Sequence, residues 1–124
     1  MRTKRPKQSA PSWRLLDGEE LNQQYPFTFH LPPGSARYYA PVGSVVKLFF
    51  HATEELPAGE IAGLRDWVRV GRRQEVGGRI AFVGHLTAHP PWGWTPKPDD
   101  AIVFEPRHII QIEERPANAE DCLH

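Results

Sequence analysis

The sequence predicts a single α+β domain, in which one short N-terminal helix precedes a curved, barrel-like antiparallel sheet of four to six strands. Segments rich in β-branched and aromatic residues recur between residues 44 and 112, and turns rich in glycine or proline separate them. The chain has 124 residues, of which 40% are hydrophobic, so it can bury one core. Short strands with frequent turns favour a strongly curved sheet or small barrel.

A helix is predicted between Asp17 and Pro26. The Asp17 side chain can accept hydrogen bonds from the N–H groups of a first helical turn, and Glu20 follows at capping-box spacing. Pro26 ends the helix because proline cannot continue its hydrogen-bond ladder. The next segment, 27–43, is predicted to be extended and rich in turns, since a Pro-Pro-Gly run interrupts it.

Five strands are predicted after this segment. They are SVVKLFFHA (44–52), LRDWVRV (64–70), GGRIAFVGHLTA (77–88), AIVFE (101–105) and HIIQI (108–112). The polar run GRRQEVGG (71–78) is predicted to connect the second and third strands as a hairpin. Gly84 indicates a bulge or a close approach of another backbone, and Pro106 separates the last two strands.

The alternating apolar positions of these strands predict the core. In the first strand one face is apolar, whereas the opposite face, with Lys47, Phe49 and His51, is mixed. The predicted core residues are Val46, Leu48, Phe50, Val68, Val70, Ile80, Phe82, Leu86, Ile102, Phe104 and Ile112.

The predicted domain spans residues 13–115, between a flexible basic tail (1–12) and a C-terminal tail (116–124). Fifteen Lys and Arg balance fifteen Asp and Glu, so the global charge predicts no attraction to nucleic acid or to a membrane. The basic start lacks the apolar run of a signal peptide, and Cys122 is the one cysteine. We therefore expect a cytoplasmic protein without a membrane partner.

A metal site is the most specific hypothesis for His85, His89 and His108. The first two are four residues apart, but the surrounding strand and prolines exclude a helix, and four extended residues span about 13 Å. A zinc ion needs ligand nitrogens only a few ångströms apart, so the spacing predicts no metal.

The candidates for catalysis are equally weak. Ser44 lacks the glycines of a nucleophile elbow, and Cys122 lies in the predicted tail. Asp99 and Asp100 are adjacent, so they point in opposite directions in an extended chain. We therefore predict that the protein is not an enzyme and uses no cofactor.

The run PPWGWTPKP (90–98) has two alternative interpretations. Its tryptophans either close the open end of the barrel or form an exposed, proline-stiffened anchor for a partner. The second interpretation predicts a binding surface that combines the loop 88–98 with the hairpin 69–79. Its predicted partner-binding residues are Trp67, Arg72, Arg73, His89, Trp92 and Trp94.

The strand region resembles a bacterial family of small proteins of unknown function, the YegJ-like group. The similarity covers residues 16–113 and lies in GSVVKLFF, RDWVRV, GRIAFVGHLTAHP and PDDAIVFEPRHIIQI. The matching positions are Gly43, Val46, Lys47, Leu48, Phe50, Trp67, Val68, Val70, Leu86, Pro90, Asp100, Ile102, Phe104, His108, Ile109 and Ile112. The sequence departs from the family pattern at Leu64, Ala88, Ser44 and Asp99, where the family has polar or glycine residues.

The resemblance implies a role in protein binding, because related domains are described as immunity proteins of polymorphic toxin systems. We accordingly expect a cytoplasmic protein that binds and neutralises a cognate toxin. One alternative is a small-barrel nucleic-acid-binding protein that uses Trp67 for stacking together with Arg65, Arg69, Arg72, Arg73 and Arg79. An uncharacterised enzyme is the third alternative.

Overall fold

The computed structural model describes residues 12–113 and places in them six strands, two α-helices and one 3₁₀ helix. The strands are β1 (Trp13–Leu15), β2 (Val45–Ala52), β3 (Gly63–Val76), β4 (Arg79–Leu86), β5 (Ile102–Phe104) and β6 (Gln111–Ile112). The helices are α1 (Gly18–Gln24), α2 (Gly34–Tyr38) and the 3₁₀ helix Pro106–His108. Apart from Ser12, the predicted N-terminal tail lies outside the described residues, as does the predicted C-terminal tail.

All strand pairs are antiparallel, and together they form one strongly curved sheet. Strands β1 to β5 are neighbours in chain order, and β6 returns to pair with β2, so the sheet nearly closes. One edge of β2 pairs with β3. Its other edge pairs with β1 near Phe50 and with β6 near Val46. The predicted α+β barrel-like fold is confirmed, with a second short helix that the sequence did not predict.

The core lies inside this curved sheet, where the predicted apolar positions meet. Of the eleven predicted core residues, all except the half-buried Ile112 are buried. The Phe82 and Phe104 rings stack with their centroids 5.2 Å apart, and Trp13 meets Phe50 edge-on at 5.5 Å. The sequence analysis missed the buried Ile109, because its neighbours were assigned to a strand and not to the 3₁₀ turn that points it inward.

The predicted eight-residue hairpin connection is wrong, because most of it belongs to β3. The turn consists of Gly77 and Gly78 alone, with φ angles of 59° and 81°. Two successive positive φ values define a two-residue hairpin turn whose twist matches that of the flanking strands. The polar residues before the turn are in a strand because they pair with β4, although this end of the hairpin is exposed to solvent.

A bulge at Gly71 changes which residues face outward along β3. The pairing register shifts between Val70 and Arg72, opposite Gly84. The close approach predicted for Gly84 is confirmed, since a Cβ there would overlap the Arg69 carbonyl and lie 2.8 Å from Val68. Adjacent residues of a strand always lie on opposite faces. The extra residue inverts the alternation beyond it, so that Arg72 faces outward and Arg73 lies on the same side as Phe82.

Two segments form helical turns where the sequence predicted extended structure. Residues 34–38 form α2, with the Tyr39 N–H donating to the Ser35 carbonyl at 3.0 Å. Pro106 begins the 3₁₀ turn, so that only Gln111–Ile112 of the predicted strand 108–112 pairs with β2. A one-turn helix has no apolar periodicity to detect, and tertiary contacts decide its conformation.

The predicted start of α1 is confirmed, because the Asp17 side chain accepts hydrogen bonds from the Glu19 and Glu20 N–H groups.

We predict that Phe50→Ala and Phe104→Ala each lower the free energy of unfolding by about 3–5 kcal/mol. Both side chains are at most 1% exposed, so truncation leaves a cavity that the surrounding sheet cannot fill. Val103→Ala is the matched control on β5, because Val103 is 61% exposed and its removal should change stability by about 0.5 kcal/mol or less. Urea unfolding measures all three; equal losses would contradict the assignment of the core.

Candidate ligand-binding surface

The structure places Trp94 in the core. The ring is 6% exposed, and its Nε1–H donates to the Ile61 carbonyl at 3.0 Å. The Ser12 hydroxyl donates to the Trp94 carbonyl at 2.9 Å, which fixes the backbone of the loop. A buried indole needs such an acceptor for its one polar group. The expectation of an exposed Trp94 ring is therefore wrong, because Trp94 belongs to the core.

The other predicted loop residues differ in exposure. Trp92 is half-buried and packs against the core, while the Thr95 hydroxyl donates to its carbonyl at 2.9 Å. His89 is exposed, and its Nδ1 lies 2.9 Å from the Pro90 carbonyl oxygen. Local hydrogen bonds thus order this loop, and Trp92 is the member of the tryptophan pair that retains exposed surface.

The predicted arginine pair does not form one patch. Arg72 lies opposite Val83 on the outer face of the hairpin. Arg73 lies opposite the core residue Phe82, and its Nε–H donates to the Tyr38 carbonyl at 3.2 Å. The Arg73 guanidinium also lies 5.4 Å from the Tyr39 ring centroid. The six residues predicted to bind a partner are therefore distributed over several surfaces, because the adjacent Arg72 and Arg73 lie on opposite faces of β3 and Trp94 is buried.

A different group of side chains forms a continuous patch on the outer face of β2 and β3. We call it the cation–aromatic face and define it as Phe29, Lys47, Phe49, Arg65 and Trp67. Lys47 lies directly opposite Trp67, and Phe49 lies directly opposite Arg65. Each strand therefore contributes one cation and one aromatic ring, and each cation lies directly opposite an aromatic ring of the other strand.

The contacts within this face are cation–π contacts. The Lys47 ammonium lies 4.6 Å from the Trp67 ring centroid. The Arg65 guanidinium lies 4.8 Å from the Phe49 ring centroid and 5.7 Å from that of Phe29. Such a contact contributes about 0.5–1 kcal/mol at an exposed site. The rings thereby hold the two cations in place at the surface.

Within the described residues, the cations of this face form no ion pair with a carboxylate. The ion pairs found among residues 12–113 use Arg37, Arg79 and Arg107, and they include neither Lys47 nor Arg65. Arg69, the next outward residue of β3, donates to the Gly43 carbonyl at 3.0 Å. The outer face of these two strands is therefore locally cationic although the whole chain has a net charge of zero.

A groove of about 630 Å³ adjoins the cation–aromatic face. The segment 28–36 forms one wall, and β6 with the start of β2 forms the other. Leu31, Ile110 and Ile112 give it an apolar lining, while Lys47 and Arg65 lie at its border with the face. A second cavity of about 320 Å³ shares Phe29 and Arg65 with the groove. The volume of the groove lies within the range of about 300–1,000 Å³ that is usual for small-ligand sites.

Buried Arg37 holds the outer wall of the groove in position. Its guanidinium donates to the Pro32 carbonyl at 3.0 Å, to the Pro106 carbonyl at 3.2 Å and to the Glu19 carboxylate at 2.8 Å. One side chain thus links α1, the 3₁₀ helix and the segment that precedes α2. The Asn22 side-chain amide adds a 2.7 Å hydrogen bond to the Phe29 carbonyl. The wall is therefore fixed by directed hydrogen bonds, because it has no strand partner of its own.

A surface ion-pair network also contacts the N-terminal end of α1. Arg107 donates to Asp17 at 2.8 Å and to Glu105 at 2.9 Å, and Arg79 also contacts Glu105 at 3.1 Å. Burial opposes ionisation of Asp17, but the hydrogen bonds from Arg107 and from the first turn of α1 outweigh it and lower the pKa of Asp17. The hydrogen bond from Arg107 is also the main reason that the pKa of Glu105 is lowered.

His108 is held in its neutral form within the 3₁₀ turn. Burial, followed by the positive charge of Arg107, lowers the pKa of His108 below its ordinary value. Its Nδ1 accepts the Glu105 N–H at 2.9 Å, which requires this nitrogen to be unprotonated. His108 therefore has a structural role in the turn. No cluster of three or more His, Cys, Asp or Glu side chains that could hold a metal ion occurs within residues 12–113.

The sequence analysis identified only part of this candidate site. Arg65 and Trp67 were named as nucleic-acid-binding candidates, whereas Phe29, Lys47 and Phe49 were not assigned a function. The signal for Lys47 and Phe49 was present, because they occupy the mixed face of a strand whose other face is entirely apolar. Phe29 and the groove wall had no comparable signal, since their position depends on the contacts of Arg37.

Comparisons with known proteins neither extend nor limit these observations. The chain matches no protein-family model, and neither a curated protein nor a solved structure shows significant similarity to it. No helix in the described part of the chain has the length and apolar character needed to cross a membrane.

We predict that the protein loses stability as the pH falls from about 7 to about 5.5, and that His108→Asn reduces this dependence. The folded state favours neutral His108, so the contribution of His108 to the free energy of unfolding is fully present above its unfolded pKa near 6.5. This contribution is lost as the pH falls toward the lower pKa of the folded state. The asparagine side chain offers an acceptor that does not titrate. Glu105 and Asp17, whose pKa values are also lowered, contribute only to a further loss at more acidic pH.

Urea unfolding over a pH series measures both proteins in this pH range. The expected result is a flatter stability profile for His108→Asn between about pH 7 and 5.5. Parallel profiles for the variant and the parent would contradict the assignment of the acid sensitivity to His108.

Proposed function

We propose that this protein binds single-stranded nucleic acid through the cation–aromatic face. The observation that carries the proposal is the alternation of cations and aromatic rings across β2 and β3, at Lys47, Phe49, Arg65 and Trp67. Proteins that bind single strands combine positive charge along the phosphate backbone with aromatic or guanidinium planes on which bases stack. The face provides both kinds of group within two neighbouring strands.

The charge distribution supports this proposal although the net charge is zero. Nucleic-acid binding depends on the local density of cations, because each neutralised phosphate releases condensed counterions. Lys47, Arg65 and Arg69 lie on one face of two strands, without a carboxylate in ion-pair contact among the described residues. A single-stranded ligand also suits a short face, because its bases are free to stack individually.

The proposed activity is binding alone. It requires neither a cofactor nor a catalytic group, and we place the protein in the cytoplasm, where single-stranded RNA is abundant and an unpaired cysteine such as Cys122 stays reduced.

A protein partner is the second candidate, in the form of a cognate toxin that the protein would neutralise. The resemblance to the YegJ-like group suggests it, and two exposed aromatic side chains that precede the segment 28–36 in the chain favour it. Phe27 is 89% exposed and Tyr25 is 54% exposed, and Trp92 adds a half-buried ring at a separate place. Exposed aromatic side chains of this kind often anchor protein interfaces.

We predict that Trp67→Ala weakens the binding of a fluorescent uridine oligonucleotide by a factor of about 5 to 150, because one stacked base contributes about 1–3 kcal/mol. Lys47→Ala should lower the affinity less and reduce the salt dependence of binding by about one phosphate equivalent. Lys97→Ala is the matched control, since Lys97 is an exposed lysine in the loop between β4 and β5. Fluorescence anisotropy at several salt concentrations measures all four proteins.

The proposal fails if the parent protein does not bind the oligonucleotide at low salt. It also fails if Lys97→Ala weakens binding as much as Lys47→Ala, because binding would then reflect general charge and not this face. Circular dichroism establishes that each variant is folded before its affinity is interpreted.

For the toxin-binding candidate, we predict that Trp92→Ala stays folded and lowers affinity for the toxin by about thirtyfold or more. Trp94→Ala should instead lower the free energy of unfolding by about 3–5 kcal/mol, because its ring belongs to the core. The product of a neighbouring toxin gene, used in a pull-down and in a growth-rescue assay, provides the partner. Full rescue by folded Trp92→Ala would remove this residue from the interface.

A further inference from the structure

We infer that the groove beside the cation–aromatic face accommodates a single unstacked nucleobase of the bound strand. The inference rests on the proposed function and specifies how the ligand is recognised. It assigns the base to the groove between the segment 28–36 and β6, and the flanking phosphates to Lys47 and Arg65. The ligand class is therefore single-stranded RNA or DNA with one base turned out of the stack.

The lining of the groove matches the chemistry of a base. Leu31, Ile110 and Ile112 offer apolar contacts to the flat faces of a ring, and the Gln111 side-chain amide can donate to and accept from its polar edge. Gln111 lies on β6 directly opposite Lys47. The side chain that would recognise the edge of the base is therefore next to a cation that would bind a phosphate. An acidic peptide would use the cations, but it would leave the flat apolar lining unoccupied.

The backbone of the groove wall offers further hydrogen-bonding groups. No hydrogen bond between described residues uses the N–H or C=O of His30 or Leu31, whereas the neighbouring carbonyls of Phe29 and Pro32 accept from Asn22 and Arg37. The wall is thus fixed on both sides of a short stretch whose backbone groups form no hydrogen bond with other described residues. Backbone groups in this position can recognise the edge of a base without rearranging, since their orientation is already determined.

The border between groove and face connects the two parts of the proposed site. Lys47 and Arg65 belong to both, because they line the groove and contact the Trp67 and Phe49 rings respectively. A strand whose base enters the groove therefore has its backbone beside these cations and its next base beside the rings. The proposed site therefore contacts more than one nucleotide of the strand.

The test fills the groove and compares ligands with and without a base. Ala36→Phe places a ring from α2 into the groove, and Ser35→Phe is the matched control, because the neighbouring Ser35 is exposed but does not line the groove. Gln111→Phe fills the groove from the opposite wall and serves if Ala36→Phe is unstable. The probes are a uridine dodecamer, an abasic dodecamer of the same length, uridine monophosphate and a glutamate dodecamer.

The expected result is that Ala36→Phe or Gln111→Phe weakens binding of the uridine dodecamer by about fivefold or more, while Ser35→Phe does not. The abasic dodecamer should bind the parent and the filled variants equally. Uridine monophosphate should shift the NMR signals of groove residues, with an affinity well below that of the dodecamer.

Each other outcome has one interpretation. Equal binding of the uridine dodecamer by parent and filled variants overturns the groove inference but leaves the proposed function standing. If neither the uridine dodecamer nor the abasic dodecamer binds the parent protein, the proposed function itself fails. Uridine monophosphate binding as tightly as the dodecamer would identify a free nucleotide as the ligand. Tighter binding of the glutamate dodecamer would identify an acidic protein segment.

Discussion

The two-sided pairing of β2 is the constraint on which the rest of the structure depends. One edge of this strand pairs with β3 along seven residues, and the other edge is shared between β1 and β6. Its inward positions, among them Leu48 and Phe50, are fully buried. The return of β6 to β2 converts an open meander into a nearly closed barrel. Since β6 is the last described strand and shares an edge of β2 with β1, the two ends of the described chain lie on the same edge of β2.

The same strand couples the core to the candidate site. Side chains alternate with a period of two, so the burial of Leu48 and Phe50 forces Lys47 and Phe49 outward, toward Trp67 and the rest of the cation–aromatic face. A shift of one residue in the register would exchange the two sets and bury a lysine. The apolar core therefore fixes the position of the proposed ligand-binding groups.

The wall of the groove depends on a different kind of interaction. The segment before α2 has no sheet partner, and a single buried guanidinium, that of Arg37, connects it to α1 and to the 3₁₀ helix. A buried cation is expensive unless its hydrogen bonds are satisfied, and these three acceptors satisfy it. The arrangement gives the groove a definite shape where regular secondary structure is absent. The position of the wall therefore depends on one side chain.

The sequence by itself determined the fold class, the start of α1 and the core, because alternation within a strand and a capping aspartate are local signals. It also indicated the close approach at Gly84. Tertiary structure alone decided the length of β3, since the polar residues 72–76 form a strand only by pairing with β4. Through the bulge at Gly71 it also decided that Arg72, and not Arg73, faces outward, and it buried Trp94. These features depend on which distant backbone lies opposite each residue, and no local pattern of residues encodes that partner.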